Sequence, residues 1–141
     1  NFYSSIGNDI VNQNISDLYN GASLTNKVSG LDQMAWHGEG TSNYVPRLSK
    51  DDNNENFSKF SSLYVEDGSF LRMKNIQLGY SLYDKFGFSK LRLSVSGQNL
   101  WTVTDYTGVD PEVGGGVLGS GFGGWNYPVQ PTVLVGLNVA F

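Results

Sequence analysis

Cysteine is absent from the 141 residues, which excludes a disulfide framework, a thiolate nucleophile and any cysteine-ligated metal, and leaves the redox compartment open. Charge is scarce too: Asp, Glu, Lys and Arg make up 16% of the chain and the formal net charge is -4. Lys and Arg are nowhere clustered, so the footprint that a phosphate backbone requires is missing and nucleic acid is not an expected partner. No apolar run approaches the ~18 residues of a membrane-spanning helix. Neither a basic stretch nor an apolar segment follows Asn1; no secretory signal is read, as would fit an internal start point or a processed product. Any His-based triad or zinc site would depend on the single histidine, His37. His37 and Trp36 read instead as packing residues beside a short loop helix near Leu31 to Ala35.

Glycine, in contrast, is plentiful at 18 residues, and aromatics make up 13%; glycine usually stands near ~7%. The length would permit one domain with a modest core, but this mixture suits strands, turns and long loops.

Period 2 is the strongest signal in the chain. Pro131, Val133, Val135, Leu137, Val139 and Phe141 fall on one face, opposite Thr132, Gly136, Asn138 and Ala140, with Leu134 as the exception. From Lys90 to Leu100, Leu91, Leu93 and Val95 oppose Arg92, Ser94, Ser96 and Gln98. From Phe70 to Leu82, Ile76, Leu78, Tyr80 and Leu82 oppose Asn75, Gln77, Gly79 and Ser81. Such alternation predicts strands with one apolar face. Above Ile76 the phase slips, because Arg72 and Lys74 occupy the face that should be apolar; a bulge, or a strand rising above a membrane, would account for it. A fourth strand is expected near the start, where Phe2, Ile6 and Ile10 give a weak pattern.

Soluble strands cluster near ~5–6 residues, whereas these are longer. Eleven residues at ~3.3 Å each, tilted by about 40°, rise about 28 Å, which matches a hydrocarbon layer. The connections are unequal in the same sense: a tight periplasmic turn at 84–88, against outer loops at 13–68 and 105–129. The expected strands cover about 1–12, 69–83, 89–104 and 130–141. Short inner turns and long outer loops are the pattern of an outer-membrane barrel. Tyr83, Phe86 and Phe88 would then lie in a lower aromatic girdle, with Trp101 and Tyr106 near an upper one. A soluble antiparallel sheet with one wet face, such as a carbohydrate-binding module, shows the same alternation and is the alternative. Four strands have two open edges and cannot close a barrel, so the chain oligomerises or the rest of the barrel lies elsewhere.

The stretch from Tyr64 to Tyr80, YVEDGSFLRMKNIQLGY, closely resembles the opening of a late barrel strand in SusC/RagA-like TonB-dependent transporters. Ser96-Gly97-Gln98-Asn99-Leu100-Trp101 resembles that family's strand-end motif, and Tyr106-Thr107-Gly108-Val109-Asp110-Pro111-Glu112 its next extracellular loop. Tyr127-Pro128 followed by a strand ending Asn138-Val139-Ala140-Phe141 is similar to its terminus. Looser similarity covers Gly7 to Ile10 and Trp36 to Leu48. The resemblance implies an all-β antiparallel transmembrane barrel of about 22 strands, of which this chain supplies the last four. It also implies an N-terminal plug and TonB box outside these residues, a SusD-like lipoprotein lid, and a Gram-negative outer-membrane location. The implied role is active import of oligosaccharides or oligopeptides, without enzymatic activity or cofactor.

Several residues invite chemistry. The glycines of Gly119-Ser120-Gly121-Phe122-Gly123-Gly124 lack the preceding strand, following helix and Lys of a phosphate loop, and read as flexible loop backbone. Asp110 and Glu112 could act as a glycosidase acid and base or hold a cation, but Pro111 between them fixes a turn and no second convergent pair is visible. Beside Trp125 and Tyr127 they are candidate contacts to a sugar or to the lid, since rings stack on sugar C–H surfaces and carboxylates bond hydroxyls. Trp36, Arg47 and Tyr106 are added as candidates of the same kind. Asp51-Asp52-Asn53-Asn54-Glu55 lacks the spacing of an EF-hand loop and reads as a solvated acidic loop, so no metal is expected. Arg92 should face the lumen while Lys90 snorkels to the interface. Phe141 resembles the terminal aromatic signal of barrel assembly.

Overall fold

The computed structural model describes residues 1–85, 87–114 and 121–141. Phe86 of the expected girdle and the Gly119-Ser120 end of the glycine-rich loop lie outside the described residues. In chain order the strands are β1 (Phe2–Ser5), β2 (Asp9–Asn12), β3 (Val65–Asp67), β4 (Phe70–Lys85), β5 (Phe88–Thr104), β6 (Phe122–Gly123) and β7 (Thr132–Ala140). Two short helices, α1 (Gln13–Tyr19) and α2 (Leu31–Met34), and a 3₁₀ turn at Ser62–Tyr64 complete the description. These elements form two compact units: a sheet unit of residues 1–7, 69–105 and 128–141, and a loop unit of residues 8–68 and 106–127.

The sheet unit is antiparallel throughout, in the order β1-β4-β5-β7. Because cross-strand partners share a face, the register gathers the alternating sequence into rows. Leu82-Leu91-Val139, Tyr80-Leu93-Leu137, Leu78-Val95-Val135 and Ile76-Gly97-Val133 stack on one side. Ser81-Arg92-Asn138, Gly79-Ser94-Gly136, Gln77-Ser96-Leu134 and Asn75-Gln98-Thr132 stack on the other. Lys85 pairs directly with Phe88, and Gly87 at this hairpin takes a left-handed φ of 80°.

The phase slip has a specific site. Register breaks between Met73 and Asn75, where β5 fits Asn99 and Leu100 against the single residue Lys74. Asn99 adopts φ 50°, and a side chain added to Gly97 would meet Leu100. The extra residue therefore sits in β5, while β4 alternates regularly through the break. Arg72 and Lys74 thus remain on the face of Ile76 and Leu78, and Arg72 donates from Nε to Thr102 Oγ1 at 2.8 Å.

The strand expected over 1–12 is two elements. β1 pairs with β4, whereas β2 joins a separate sheet of order β3-β2-β6 in the loop unit. Gly7 at φ 77° marks the break, a conformation costly for any residue with a Cβ. The apolar spacing 2, 6, 10 fits no single strand because Ile6 is fully exposed, while Ile10 is fully buried.

The loop unit is likewise more ordered than two independent outer loops. β2 pairs antiparallel with β3 and parallel with β6, tying the connection that precedes β4 to the one that follows β5. The Glu66 carboxylate accepts from Thr107 N–H at 2.8 Å, from the Thr107 hydroxyl at 2.7 Å and from Asn12 Nδ2 at 3.1 Å. Leu31, Ala35, Val45 and Phe57 form a buried cluster, with Tyr19, Met34 and Leu48 packed against it.

Candidate functional site

Two surfaces could carry function: the apolar face of the sheet unit and a polar cleft in the loop unit. Side chains in the apolar rows do not pack on one another around a dry core. Val135 is 72% exposed, Leu78 71%, Tyr80 69%, Leu137 66% and Val133 64%. Transferring each such side chain out of water is worth ~1.5–3 kcal/mol, so covering this face with an apolar neighbour is favourable. The other face is polar and low in relief. Gly79, Ser94 and Gly136 form one row across it, and the Arg92 guanidinium lies beside Gly79. Lys90 Nζ sits 5.6 Å from the Tyr83 ring centre. At the hairpin end, Phe88 and Phe141 meet edge to face with centroids 5.4 Å apart. Among the described residues the outer edges of β1 and β7 have no strand partner.

The cleft forms around an isolated parallel bridge between Ala35 and Val45. Trp36 N–H donates to the Val45 carbonyl at 2.9 Å, and Val45 N–H to the Met34 carbonyl at 3.0 Å. Both bridge residues are buried in the loop-unit core, and the bridge brings Trp36 and Arg47 together. The Arg47 guanidinium lies 5.6 Å from the Trp36 ring centre, within the range of a cation–π contact. The open cleft beside them has a volume of about 660 Å³ and is lined by Tyr44, Asn43, Asn54 and Asn56 as well.

Asp52 braces the neighbouring turn. Its carboxylate accepts from Asn56 N–H at 2.9 Å, Phe57 N–H at 3.1 Å and the Ser58 hydroxyl at 3.0 Å. Desolvation opposes the charged form, but these donors, Phe57 N–H foremost, outweigh it and hold the carboxyl below its ordinary value. The run at 51–55 is therefore a structured turn around one capping carboxylate, with Glu55 paired to Lys59 at 2.9 Å. The sequence reading missed Tyr44 and the Asn residues as cleft lining. Their signal, amide-rich chain beside an aromatic, looks like any polar loop.

The remaining candidates are dispersed. Tyr106 is buried over Gly108 and Gly123, and a side chain at either glycine would run into its ring. Burial first, and the Glu66 charge second, push its phenol above the ordinary range. It packs inside the loop unit. Asp110 is buried and accepts from Glu112 N–H at 2.8 Å, the local turn that Pro111 suggests. Trp125 donates from Nε1 to Asp17 at 3.1 Å, and Tyr127 is 82% exposed. None of these five lines the cleft. His37 lies 2.7 Å from the Asp32 carbonyl, closing the end of α2, and among the described residues no three His, Asp or Glu converge as a metal site.

No protein-family model matches the chain. Individual proteins do. TonB-dependent receptor P3 of Formosa agariphila is 36% identical over 154 aligned residues, covering 99% of this chain and 14% of the receptor. TonB-dependent receptor SusC of Bacteroides thetaiotaomicron is 33% identical over 86 residues, covering 57% of this chain and 8% of SusC. Among solved structures, the RagAB peptide importer in its open-open state superimposes with a TM-score of 0.76 at 29% identity, covering 99% of this chain and 15% of the matched one. The chain thus spans about a seventh of the length of the relatives that match it throughout. With an alternating sheet, a shared β-rich fold and 36% identity to a TonB-dependent receptor across 99% of its own length, it belongs to the SusC/RagA-like TonB-dependent receptors.

Proposed function

We propose that this chain supplies the last four strands of a transmembrane barrel of about 22 strands, in the outer membrane of a Gram-negative bacterium, for an importer of oligosaccharides or oligopeptides. One observation carries the reading: β4, β5 and β7 align their apolar residues in rows that face outward rather than into a core of their own. Dimensions support it. From Asn75, just below the register break, to Lys85 at the hairpin is ten steps of ~3.3 Å, and a ~40° tilt gives a height of about 25 Å, the depth of an outer-membrane apolar band. Arg72 and Lys74 would then mark where the same face leaves the lipid. The hairpin with Tyr83, Phe88 and Phe141 lies toward the periplasm on this reading, with Phe141 as the assembly signal. The connections 13–68 and 105–129 are outer loops, and the open edges of β1 and β7 meet the remaining wall. A plug and TonB contact belong to other parts of the protein, and a SusD-like lipoprotein covers the barrel. A soluble carbohydrate-binding sheet is disfavoured, because it would have to bury these rows.

The test is fractionation of the intact transporter followed by extraction. Recovery from outer membranes that requires detergent, and loss of oligosaccharide or oligopeptide uptake on deleting residues 69–141, are expected. Recovery in the aqueous fraction as a monodisperse species would refute the proposal.

A further inference from the structure

The lining of the loop-unit cleft has a chemistry that its surroundings do not share. The chain carries 13 acidic against 9 basic residues, yet the cleft lining includes one cation, Arg47, and no carboxylate. The nearest acid in the adjoining hollow, Asp52, is occupied by three donors of its own turn. Among the described residues Arg47 has no carboxylate partner, and its guanidinium is held at the Trp36 ring. Tyr44, 60% exposed, presents a second aromatic surface. Asn43, Asn54 and Asn56 supply amides that both donate and accept.

Each feature selects. Ring faces suit the C–H surfaces of a pyranose, and amides suit hydroxyls, which need a donor and an acceptor together. A planar guanidinium takes a carboxylate or sulfate through two parallel hydrogen bonds. The volume of about 660 Å³ falls in the range of small-ligand sites.

We propose that this cleft binds an acidic sugar residue of an oligosaccharide, with Arg47 on its anionic group and Trp36 and Tyr44 on its ring. The proposal rests on the import reading, for which it names the cargo class, but its test measures binding and not transport.

The experiment is calorimetric titration of the detergent-purified full-length transporter with four probes: tetragalacturonate, a sulfated carrageenan tetrasaccharide, maltotetraose and tetraglutamate. Saturable binding of tetragalacturonate or the sulfated sugar, at least tenfold tighter than maltotetraose and tetraglutamate, is expected. The preference between the two anionic sugars tells carboxylate from sulfate. Arg47→Gln should weaken that binding about tenfold or more. Tyr44→Ala, at a position 60% exposed, should weaken it severalfold. Equal binding of maltotetraose, equal binding of tetraglutamate, no binding, or binding indifferent to both substitutions would each overturn the proposal. Those results would leave detergent-dependent membrane recovery, and with it the import reading, untouched.

Discussion

The sheet unit and the loop unit solve opposite problems. In the sheet, β4 and β5 run for 16 and 17 residues and pair along their length with one register break, leaving Leu78, Tyr80, Leu93 and Val95 exposed. In the loop unit the strands are two to four residues long, and order comes from Ile10, Leu31, Val45, Phe57, Tyr64 and Tyr106, all buried. The first is held by backbone hydrogen bonds and leaves its apolar rows uncovered; the second carries its own buried core. One polypeptide therefore carries two stability mechanisms that separate substitutions should address one at a time.

The largest effect should come from charge on the apolar face. Leu78→Arg is expected to cost ~2–4 kcal/mol near the bilayer midplane and to deplete the protein from the outer membrane, read by quantitative blotting of membrane fractions. Gln77→Arg, one residue away on the opposite face, should be tolerated. If both behave alike, the division of faces is wrong. Next, Gly108→Ala drives a methyl into the Tyr106 ring and should destabilise the loop unit by ~1–3 kcal/mol. Limited proteolysis should then cut within residues 8–68 or 106–127 and spare β4 and β5. Smaller again, Glu66→Gln weakens the charge-assisted bonds from Thr107 and Asn12; about 1–2 kcal/mol should appear as faster amide exchange at Thr107.

How far the sequence anticipated these units follows from the same contrast. Period 2 is a local signal, so β4, β5 and β7 are visible in it wherever Leu, Val, Ile or Tyr alternates with a polar residue. The register break is visible as a slip at Arg72 and Lys74, but its location in β5 is not, because Asn99 at positive φ looks like any strand asparagine. β2, β3 and β6 are invisible: a two- to four-residue strand has no period, and its identity comes from partners more than fifty residues away. Tyr106 illustrates the cost. An aromatic after a long strand reads as a girdle residue, and only Gly108 and Gly123 brought beneath its ring turn it into core. Trp36 and Arg47, eleven positions apart, are joined by the Ala35–Val45 bridge, which no spacing rule foretells.

The smallest predicted effect is a pH response confined to the loop unit. Because the Asp52 carboxyl is held below its ordinary 3.8, the unfolded turn binds that proton more readily than the folded one. Its contribution is complete above the unfolded value and drains away as pH falls through the folded one. The amide resonances of Asn56 and Phe57 should shift in that acidic range in the parent protein and stay flat in Asp52→Asn.

The most direct test is a scan of lipid contact along neighbouring positions. This chain contributes no cysteine, so single cysteines at Gln77, Leu78, Gly79, Tyr80, Ser94 and Val95 can be labelled with a fluorophore in an otherwise cysteine-free transporter and exposed to brominated lipid. Strong quenching at Leu78, Tyr80 and Val95, with little at Gln77, Gly79 and Ser94, is the predicted result. Uniform quenching, or a pattern with the opposite phase, would contradict the assignment of the apolar rows to the membrane.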